Sequence, residues 1–331
     1  MFRRTLLRSA LASLAATILF SGHAVAQDRA TLILDWVPDG SYAAFYAGVD
    51  QGFYEEVGID LTIERGFGSS DTVTKIATGV AEFGIADIGA LMAGSVRAET
   101  PVKAIASIYT RPPHSIFVLE DSGIESFKDL EGRSLAGAPG SGVRVFLPLV
   151  LDREGVDIDK IDLVNAEPAT MGPLLVSGQA DAVTGFLTNR PRFDVMAAEQ
   201  GKTVRVLEFA DAIQIYGNAL VASEATLESS PDLTKRFVAA TMKALEFGRD
   251  NPEEAVASMM KMVPGLNPEG DGAAILVHNF LTFESDVAAR LPVGSFDAEQ
   301  LKETWEVVAE AQGFDAAAVD PESFVTRDFL P

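Results

Sequence analysis

The stretch Thr31–Ile63, TLILDWVPDGSYAAFYAGVDQGFYEEVGIDLTI, decides the fold of this chain of 331 residues. It opens with an apolar run at residues 31–34 that is short and rich in branched side chains, as is typical of a buried strand. Pro38–Gly40 forces a turn, and the apolar positions of residues 42–49 then follow helical spacing. A second apolar run at residues 59–63 completes the pattern. We predict a βαβ unit here.

Three side chains gather at the carboxyl end of the first predicted strand. Asp35 and Trp36 follow that strand directly, and Tyr42 opens the helix after the turn. Ligands of parallel sheets collect at this end of the strands, and two large rings beside a carboxylate favour a flat ligand. Packing in the core is the more usual role of aromatic residues. A buried carboxylate needs a partner, and either a ligand amine or a backbone amide would satisfy Asp35.

Residues 1–26 have the features of a secretory signal. Three arginines precede an apolar core at residues 10–20, and Ala24-Val25-Ala26 offers a small-residue cleavage site. The apolar core is too short to anchor the chain in a bilayer. The pair Arg3-Arg4 leaves twin-arginine export open beside the general secretory route. We expect a cleaved signal peptide and a soluble, periplasmic mature protein.

Composition excludes several functional classes. The chain has no cysteine, which excludes disulfides, thiolate metal ligands, cysteine nucleophiles and a lipid-modified cysteine. The formal net charge is −22, and the predicted signal would remove three arginines as well. Such acidity repels phosphate backbones, so we expect no nucleic-acid partner. The length suits two domains of ordinary size.

The chain beyond the opening unit falls into two similar halves in which short apolar runs alternate with helical segments. Residues 78–87 are echoed by residues 177–186, since in each a helix ends at glycine and a small residue and an acid precede a short strand. Pro112-Pro113 predicts a stiff crossing between the halves, and residues 216–222 predict a second crossing. We predict an α/β fold of two lobes, each a mostly parallel sheet flanked by helices, with a ligand cleft between them.

The predicted boundaries follow from these crossings. The signal occupies residues 1–26, lobe 1 is discontinuous with residues 27–112 and 213–331, and lobe 2 is residues 113–212. We expect the helices of the C-terminal third to pack on lobe 1.

Two loops rich in glycine and serine connect predicted strands to helices. They are Gly66–Asp71 and Gly137–Gly142. Exposed amides at a helix N-terminus bind ligand oxygens or anions, whereas ordinary tight turns have a similar composition. The second loop lacks the Gly-Lys-Ser/Thr ending of a phosphate-binding P-loop.

Histidine is scarce, which argues against catalysis and metal binding. Only His114 and His278 lie beyond the predicted signal, and they are far apart in sequence. Neither a metal-ligand spacing nor a Ser-His-Asp arrangement can be argued from them. We expect a structural role for His114 at the crossing. We predict no metal, no cofactor and no catalytic residue.

The opening stretch resembles a known family. Residues 34–38 (Leu-Asp-Trp-Val-Pro) and residues 52–61 (GFYEEVGIDL) resemble the substrate-binding proteins of ABC importers, in the branch that binds thiamine pyrimidines, aliphatic sulfonates and nitrate. The Leu-Asp-Trp-x-Pro opening is most similar to the thiamine-pyrimidine (formylaminopyrimidine) binders. Comparable segments continue to about residue 222 and become diffuse beyond it.

This resemblance implies a type II periplasmic binding protein that closes on its ligand by hinge motion and is read by a membrane permease. Trp36 and Tyr42 would stack on a planar ring, while Asp35 and Asp87 would accept hydrogen bonds from a ring amine. The Gly140–Gly142 segment would close over the ligand from lobe 2. We expect a monomer whose ligand-binding residues are Asp35, Trp36, Tyr42, Phe67, Ser69, Asp87, Tyr109, Gly140, Ser141, Gly142, Phe186 and Asn189.

The same residues bear on the class of ligand. Two aspartates at strand ends raise the free-energy cost of binding an anion. Arg111 and Arg144 could reach the cleft, however, so a sulfonate such as taurine, or nitrate, stays an alternative ligand. We therefore favour a neutral or weakly basic heteroaromatic, a thiamine-precursor pyrimidine. A flavin such as riboflavin competes with it because the same stacking would serve.

A secreted enzyme is the alternative from a different class. Hydrolysis would need a paired acid and base, for which Asp35 and Asp87 are the only candidates. The resembling branch also includes a fungal enzyme that makes the thiamine pyrimidine and carries a cysteine-rich motif. Because this chain has no cysteine, that activity is not carried over.

Overall fold

Two five-stranded sheets organise residues 27–331, which are the part of the chain that the computed structural model describes. The predicted signal, residues 1–26, lies outside the described residues. The strands are β1 (Asp28–Ile33), β2 (Ile59–Glu64), β3 (Phe83–Asp87), β4 (Val102–Ser107), β5 (His114–Leu119), β6 (Ser134–Gly137), β7 (Asp162–Asn165), β8 (Ala182–Phe186), β9 (Val204–Glu208) and β10 (Asn218–Ser223).

Thirteen α-helices connect and cover these strands within the described residues. They are α1 (Ala43–Asp50), α2 (Phe53–Glu56), α3 (Ser69–Ala77), α4 (Ile88–Ala98), α5 (Gly142–Arg153), α6 (Met171–Ser177), α7 (Arg190–Ala198), α8 (Glu224–Ser229), α9 (Pro231–Asp250), α10 (Pro252–Met262), α11 (Pro268–Phe283), α12 (Asp286–Arg290) and α13 (Ala298–Gln312). Among the described helices, none combines the length and apolarity needed to cross a membrane.

The two sheets have the same topology. Sheet A has the order β2-β1-β3-β10-β4 and sheet B the order β7-β6-β8-β5-β9. In each sheet the fourth strand, β10 or β5, runs antiparallel to both of its neighbours. The predicted mostly parallel α/β architecture is confirmed. The sequence echo also has a structural counterpart, because β3 and β8 both occupy the central place of their sheets.

The opening βαβ unit forms as the sequence predicts. Strands β1 and β2 pair in parallel from Asp28 opposite Ile59 to Ile33 opposite Glu64, with α1 and α2 between them. The branched side chains at the end of β1 are buried, which is why an apolar run rather than an alternating one marks this strand. The strand therefore delivers residue 35 to the edge of sheet A.

The chain leaves sheet A after β4, builds sheet B with β5 to β9, and returns as β10. We call sheet A with the helices packed on it lobe 1, and sheet B with its helices lobe 2. The two connections between the lobes are residues 108–113 and 209–217, and the predicted boundaries at 112–113 and 212–213 fall within them.

The C-terminal helices pack on lobe 1, but two of them also reach lobe 2. Helix α9 lies on sheet A, where the rings of Phe237 and Phe83 stack at 3.8 Å between centroids. Helix α11 packs against α7, and α13 packs against both α4 and α5. The amide Nε2 of Gln312 donates to the carbonyl of Val145 at 2.6 Å. The sequence analysis expected packing on lobe 1 and did not foresee the contacts with lobe 2, where the buried face of α13 joins the core that α5 enters.

A buried polar contact joins the lobes beside the first connection. Asp87 ends β3 and His114 begins β5, and their Oδ2 and Nε2 atoms lie 2.8 Å apart with both side chains fully buried. The Asp87 Oδ1 atom caps α4 by accepting from the Ala90 amide at 3.0 Å. The imidazole packs edge-on against Phe146 and Phe186. His114 thus makes a structural contact between the two lobes.

We predict that His114→Ala lowers the free energy of unfolding by about 3–5 kcal/mol, because it leaves one oxygen of a buried carboxylate without its partner. Urea denaturation at neutral pH measures this loss. The matched control is Arg205→Ala, whose ion pair with Glu120 (2.6 Å) is partly exposed to solvent, and there we expect a loss below about 1 kcal/mol. Equal losses in the two variants would contradict the role given to the buried pair.

Candidate functional site

A cavity of about 340 Å³ lies between the lobes, where the parallel strands of both sheets end. Lobe 1 contributes the residues that follow β1 and begin α1 and α3. Lobe 2 contributes the start of α5 and the end of β8. The lining residues are Asp35, Trp36, Tyr42, Ser69, Ser141, Gly142, Val143, Gly185, Phe186, Thr188 and Asn189.

Among residues 27–331, Asp35 is the only carboxylate in this lining, and it is held by three donors from different elements. The Tyr42 hydroxyl donates to Oδ1 at 2.8 Å. The Asn218 amide donates to Oδ2 at 3.1 Å, and the Ser69 hydroxyl lies 3.5 Å from the same oxygen. Asn218 reaches Asp35 because the antiparallel strand β10 begins at the edge where the parallel strands end. The carboxylate is 2% exposed, so these donors replace water.

Burial raises the pKa of Asp35 from 3.8 to about 6, against the opposing effect of the hydrogen bonds from Tyr42 and Asn218. The charge of Asp87 adds a small further increase. At neutral pH the group is therefore mainly a carboxylate that accepts hydrogen bonds. An ionised carboxylate has about four acceptor sites, so the three donors leave about one for a ligand.

Each lobe brings one aromatic side chain to the cavity wall. Trp36 comes from lobe 1 and is half-buried, and it also packs against the core of lobe 2 around Phe193. Phe186 comes from lobe 2, is half-buried as well, and ends β8 opposite His114 of β5. The cavity thus has an apolar wall on both sides of the boundary between the lobes.

The structure shows the lobes in contact around this cavity. The Ser70 amide of the first glycine-rich loop donates to the carbonyl of Gly140 in the second at 3.0 Å. A Cβ atom at Gly68 would lie 2.8 Å from the same carbonyl oxygen, so the two loops meet without space for a side chain. The Asn189 amide of lobe 2 donates to Oδ2 of Asp39 in lobe 1 at 3.1 Å. The cleft is closed.

Asp39 is a second buried carboxylate at this boundary. It is 2% exposed and also accepts from the amide and hydroxyl of Ser41, at 2.9 and 2.5 Å. Burial raises the pKa of Asp39 to about 6, and the nearby charge of Asp271 raises it further. Asp39 closes the cleft beside the cavity without being part of its lining.

Eight of the twelve predicted ligand-binding residues line the cavity, and four do not. Phe67 is 45% exposed and lies under the Arg65 guanidinium, 4.3 Å from the ring centroid. The Gly140 carbonyl is used in the contact between the loops. Tyr109 is buried with its hydroxyl 3.1 Å from Nδ1 of His278. The eight residues in the lining are Asp35, Trp36, Tyr42, Ser69, Ser141, Gly142, Phe186 and Asn189.

Asp87 is the fourth residue outside the lining, and its expected contact with a ligand amine stays a prediction. Its two oxygens are engaged by His114 and by the amide of Ala90, and the residue is fully buried. The start of α5 covers it, because a Cβ atom at Gly142 would lie 2.6 Å from Cγ of Asp87. In this closed form the carboxylate is shielded from the cavity.

Sequence reasoning missed Val143, Gly185 and Thr188, and it missed the donor Asn218. The first three are neighbours of predicted residues, so the loop and strand end that contain them were already indicated. Asn218 is the polar residue that opens the apolar strand after the second crossing. A polar residue at the start of a returning strand is a signal that could have found it.

Arg111 and Arg144, the two arginines that could have favoured an anionic ligand, lie outside the cavity lining. Arg111 donates to the carbonyl of Glu284 at 2.6 Å, and its guanidinium lies 4.3 Å from the centroid of the Phe280 ring. Arg144 lines a separate groove. Among the described residues, no lysine, arginine or histidine lines the cavity. Nor does any group of three or more histidine and acidic side chains within residues 27–331 have the placement to hold a metal ion.

We predict a characteristic pH dependence from Asp35. Since its folded-state pKa (about 6) lies above the ordinary 3.8, the folded protein binds this proton more tightly than the unfolded chain. The resulting stability is complete below the ordinary pKa and is lost as the pH rises to about 6. Relative to Asp35→Asn, the wild-type free energy of unfolding should fall by up to about 3 kcal/mol over this interval.

Urea titrations of both proteins between about pH 3 and 7, roughly one unit on either side of the two pKa values, measure this difference. Asp50→Asn is the control, because hydrogen bonds from Lys261 and Ser258 lower the pKa of Asp50 and reverse the sign of its contribution. A constant difference between wild type and Asp35→Asn across the interval would contradict the prediction.

Comparison with known proteins agrees with this architecture. A family model described as NMT1/THI5 like matches residues 40–255. The riboflavin-binding protein RibY of Chloroflexus aurantiacus is 25% identical over 310 residues, covering 92% of this chain and 86% of that protein. The formylaminopyrimidine-binding protein of Halalkalibacterium halodurans is 26% identical over 235 residues, covering 70% and 69%. A 4-amino-5-hydroxymethyl-2-methylpyrimidine phosphate synthase of Legionella pneumophila is 25% identical and covers 72% and 75%.

Solved structures show the same fold. The alkanesulfonate-binding protein SsuA of Xanthomonas axonopodis superposes with a TM-score of 0.69 at 16% identity, over 91% of this chain and 98% of that one. A Candida albicans protein described as having the generic periplasmic binding protein fold superposes with a TM-score of 0.66 at 13% identity, over 92% and 97%. The chain has the periplasmic binding protein fold and belongs to the NMT1/THI5-like family.

Proposed function

We propose that this protein is the solute-binding component of an ABC importer and captures a small planar heteroaromatic, a thiamine-precursor pyrimidine, by closing its lobes. The observation that carries the proposal is the closed cavity with an aromatic wall from each lobe and a single carboxylate. The proposal includes export by the signal of residues 1–26 to the periplasm and delivery of the ligand to a membrane permease. Two relatives whose names state that they bind riboflavin or formylaminopyrimidine support it.

Trp36 and Phe186 favour a flat ligand. Aromatic rings in contact add about 0.5–1.5 kcal/mol beyond the burial of their area, and the gain depends on a planar partner. Because the two rings belong to different lobes, a ring that touches both stabilises the closed form. Tyr42 is less available for stacking, since it is 5% exposed and its hydroxyl is fixed on Asp35.

The charge of the cavity favours a ligand that donates hydrogen bonds. Asp35 has about one acceptor site left, which suits the amino group of an aminopyrimidine. A sulfonate or nitrate would enter a cavity that has a carboxylate and no cation in its described lining. Bringing an anion to that carboxylate costs free energy, so these ligands are disfavoured. The structural likeness to a sulfonate-binding protein concerns the fold.

The size of the cavity favours one ring over three. The space between the closed lobes is small, about 340 Å³ with its opening to solvent included. A pyrimidine fills such a space with less movement of the lobes than an isoalloxazine does. Riboflavin is the second candidate, because a relative that covers 92% of this chain is named as a riboflavin-binding protein.

The cavity also favours binding over turnover, although one relative is named as a synthase. General acid–base chemistry needs groups that can exchange protons with the bound molecule. Within residues 27–331 neither histidine lines the cavity: His114 pairs with Asp87, and burial lowers the pKa of His278 to about 3. Asp35 has no second acid or base beside it in the lining. We therefore infer a binding protein without catalysis.

We predict that purified mature protein is stabilised against heat by an aminopyrimidine, and that Trp36→Ala weakens this binding at least about tenfold. The cause is loss of the ring from lobe 1. Isothermal titration calorimetry gives the affinities after a thermal-shift screen with aminopyrimidines, thiamine, riboflavin, taurine, alkyl sulfonates and nitrate. A free ligand concentration of about a hundred times the dissociation constant adds about 2.7 kcal/mol to the free energy of unfolding.

The control is Phe67→Ala, which removes a ring from the neighbouring loop that lies outside the cavity lining. It should leave the affinity within about twofold of wild type, a difference of less than 0.5 kcal/mol. Binding of taurine or nitrate alone would overturn the choice of ligand and leave the importer role standing. Binding of riboflavin alone would select the second candidate.

We predict that the bound ligand is recovered unchanged. Mass spectrometry of the ligand after overnight incubation with an equimolar amount of protein tests this, with Asp35→Asn beside the wild type. A product that forms with wild type and not with Asp35→Asn would show catalysis by this carboxylate and overturn the assignment as a binding protein.

A further inference from the structure

A basic groove borders the ligand cavity at Ser141. The groove has a volume of about 720 Å³ and lies between α3 and α4 of lobe 1 and α5 of lobe 2. Arg97 and Arg144 are the charged residues in its described lining, which includes no carboxylate. In a chain with a formal net charge of −22, a groove with two cations and no acid is an unusual local environment. Its charge is opposite to that of the neighbouring cavity.

Arg144 has unused hydrogen-bonding capacity. Its Nη1 atom is buried and has no hydrogen-bond partner, while Nη2 donates to Oδ1 of Asn165 at 3.3 Å, a long contact. Burial lowers the pKa of the Arg144 guanidinium. Within residues 27–331 it makes no ion pair. A buried donor without a partner is costly to the folded protein, and a bound acceptor would remove that cost.

Arg97 is placed on the lobe 1 side of the same groove without a carboxylate partner among the described residues. It donates to Oε1 of Gln312, and its guanidinium lies 5.6 Å from the centroid of the Phe314 ring. Both contacts are with uncharged groups, so its positive charge is not neutralised locally. The nearby Asp71 is paired with Lys75 at 2.7 Å and is not part of the lining.

Ser141 supplies a third, uncharged donor. It is 6% exposed, precedes the twelve-residue helix α5, and its hydroxyl has no hydrogen-bond partner within the described residues. As the residue before α5 it lies at the positive end of the helix dipole. Ser70 and Thr74 lie in the opposite wall, on α3. Two guanidinium groups and an unpaired hydroxyl at a helix start are donors that match the oxygens of a tetrahedral oxyanion.

We propose that this groove binds a tetrahedral oxyanion, such as inorganic phosphate, between Arg97 of lobe 1 and Arg144 of lobe 2. The site is separate from the ligand cavity, which has no cation in its described lining. Because each arginine belongs to a different lobe, the anion stabilises the closed form. By linkage, phosphate strengthens binding of the ligand in the cavity, and the ligand strengthens binding of phosphate.

Thermal unfolding of the mature protein with inorganic phosphate tests the site, with sodium chloride at the same ionic strength as the reference for general screening. We expect a higher Tm in phosphate for wild type and no phosphate effect for Arg144→Gln or Arg97→Gln. Arg153→Gln is the matched control, since it lies on the same helix but is paired with Glu310 at 2.6 Å, and it should keep the effect. A phosphate effect that persists in Arg144→Gln overturns the proposal.

The same experiment separates binding from a structural role. In chloride Arg144→Gln should keep or raise the Tm, because it removes a buried donor that lacks a partner. A lower Tm of this variant by the same amount in both salts would assign Arg144 to packing and overturn the proposal. Neither thermal-unfolding measurement requires the ligand of the cavity. The phosphate site can therefore be disproved while the proposed transport role stands, and the transport role can be disproved while the phosphate site stands.

Calorimetry with the aminopyrimidine tests the coupling. Phosphate should raise the affinity for this ligand at least about fivefold, the lower end of ordinary coupling between sites, and the gain should vanish in Arg144→Gln. Competition between phosphate and the ligand would place the anion in the cavity and overturn a separate groove site.

Discussion

The pairing of Asp87 with His114 is the constraint on which the rest of the site depends. A fully buried carboxylate has to be matched by donors, and here the donors are the first turn of α4 and the first residue of β5. The contact fixes the end of sheet A against the start of the antiparallel strand of sheet B. Phe186 lies opposite His114 in the next strand, and Gly142 packs directly on Asp87. This contact therefore helps to position the cavity wall of lobe 2 against lobe 1, together with the hydrogen bonds Ser70–Gly140 and Asn189–Asp39.

The same topology explains how Asp35 is held. The parallel strands of a sheet end at the cleft with their carboxyl ends. The antiparallel strand β10 has its amino end at the same edge. Asn218, the first residue of β10, therefore meets Asp35 and lies opposite Asp87 in the sheet. One strand-end carboxylate is held by neutral donors and opens onto the cavity, whereas the other is matched by a histidine and is closed off. The two aspartates differ in role because different returning elements reach them.

The sequence predicted the parts of this structure that depend on local pattern. The opening βαβ unit, the mostly parallel sheets and the correspondence of residues 78–87 with 177–186 follow from periodicity and from glycine at helix ends. Local pattern cannot distinguish Asp35 from Asp87, since both end an apolar strand before a helix. His114 makes that distinction by pairing with Asp87, from which it is 27 residues away in sequence. Neither segment alone predicts the path of the connection that brings the two residues together. In the same way, the Gly66–Asp71 loop turns Ser69 toward the cavity and Phe67 toward solvent, which composition does not show. The position of α13 between the lobes depends on contacts with both of them, so it could not be predicted from local sequence pattern either.

Closure is the event that completes the cavity, because residues of both lobes form its wall. A ligand that contacts one lobe alone has equal affinity for open and closed forms and cannot shift their equilibrium, however tightly it binds. For the planar ligand proposed above, the gain in affinity on closure would come from Trp36 and Phe186, which line the cavity from different lobes. The close approach of the two glycine-rich loops depends on the absence of a side chain at Gly68, where a Cβ atom would lie 2.8 Å from the carbonyl oxygen of Gly140. Under the proposed function, selectivity for flat molecules would follow from closure itself, since a thicker molecule would hold the two loops apart and lose the contacts of lobe 2.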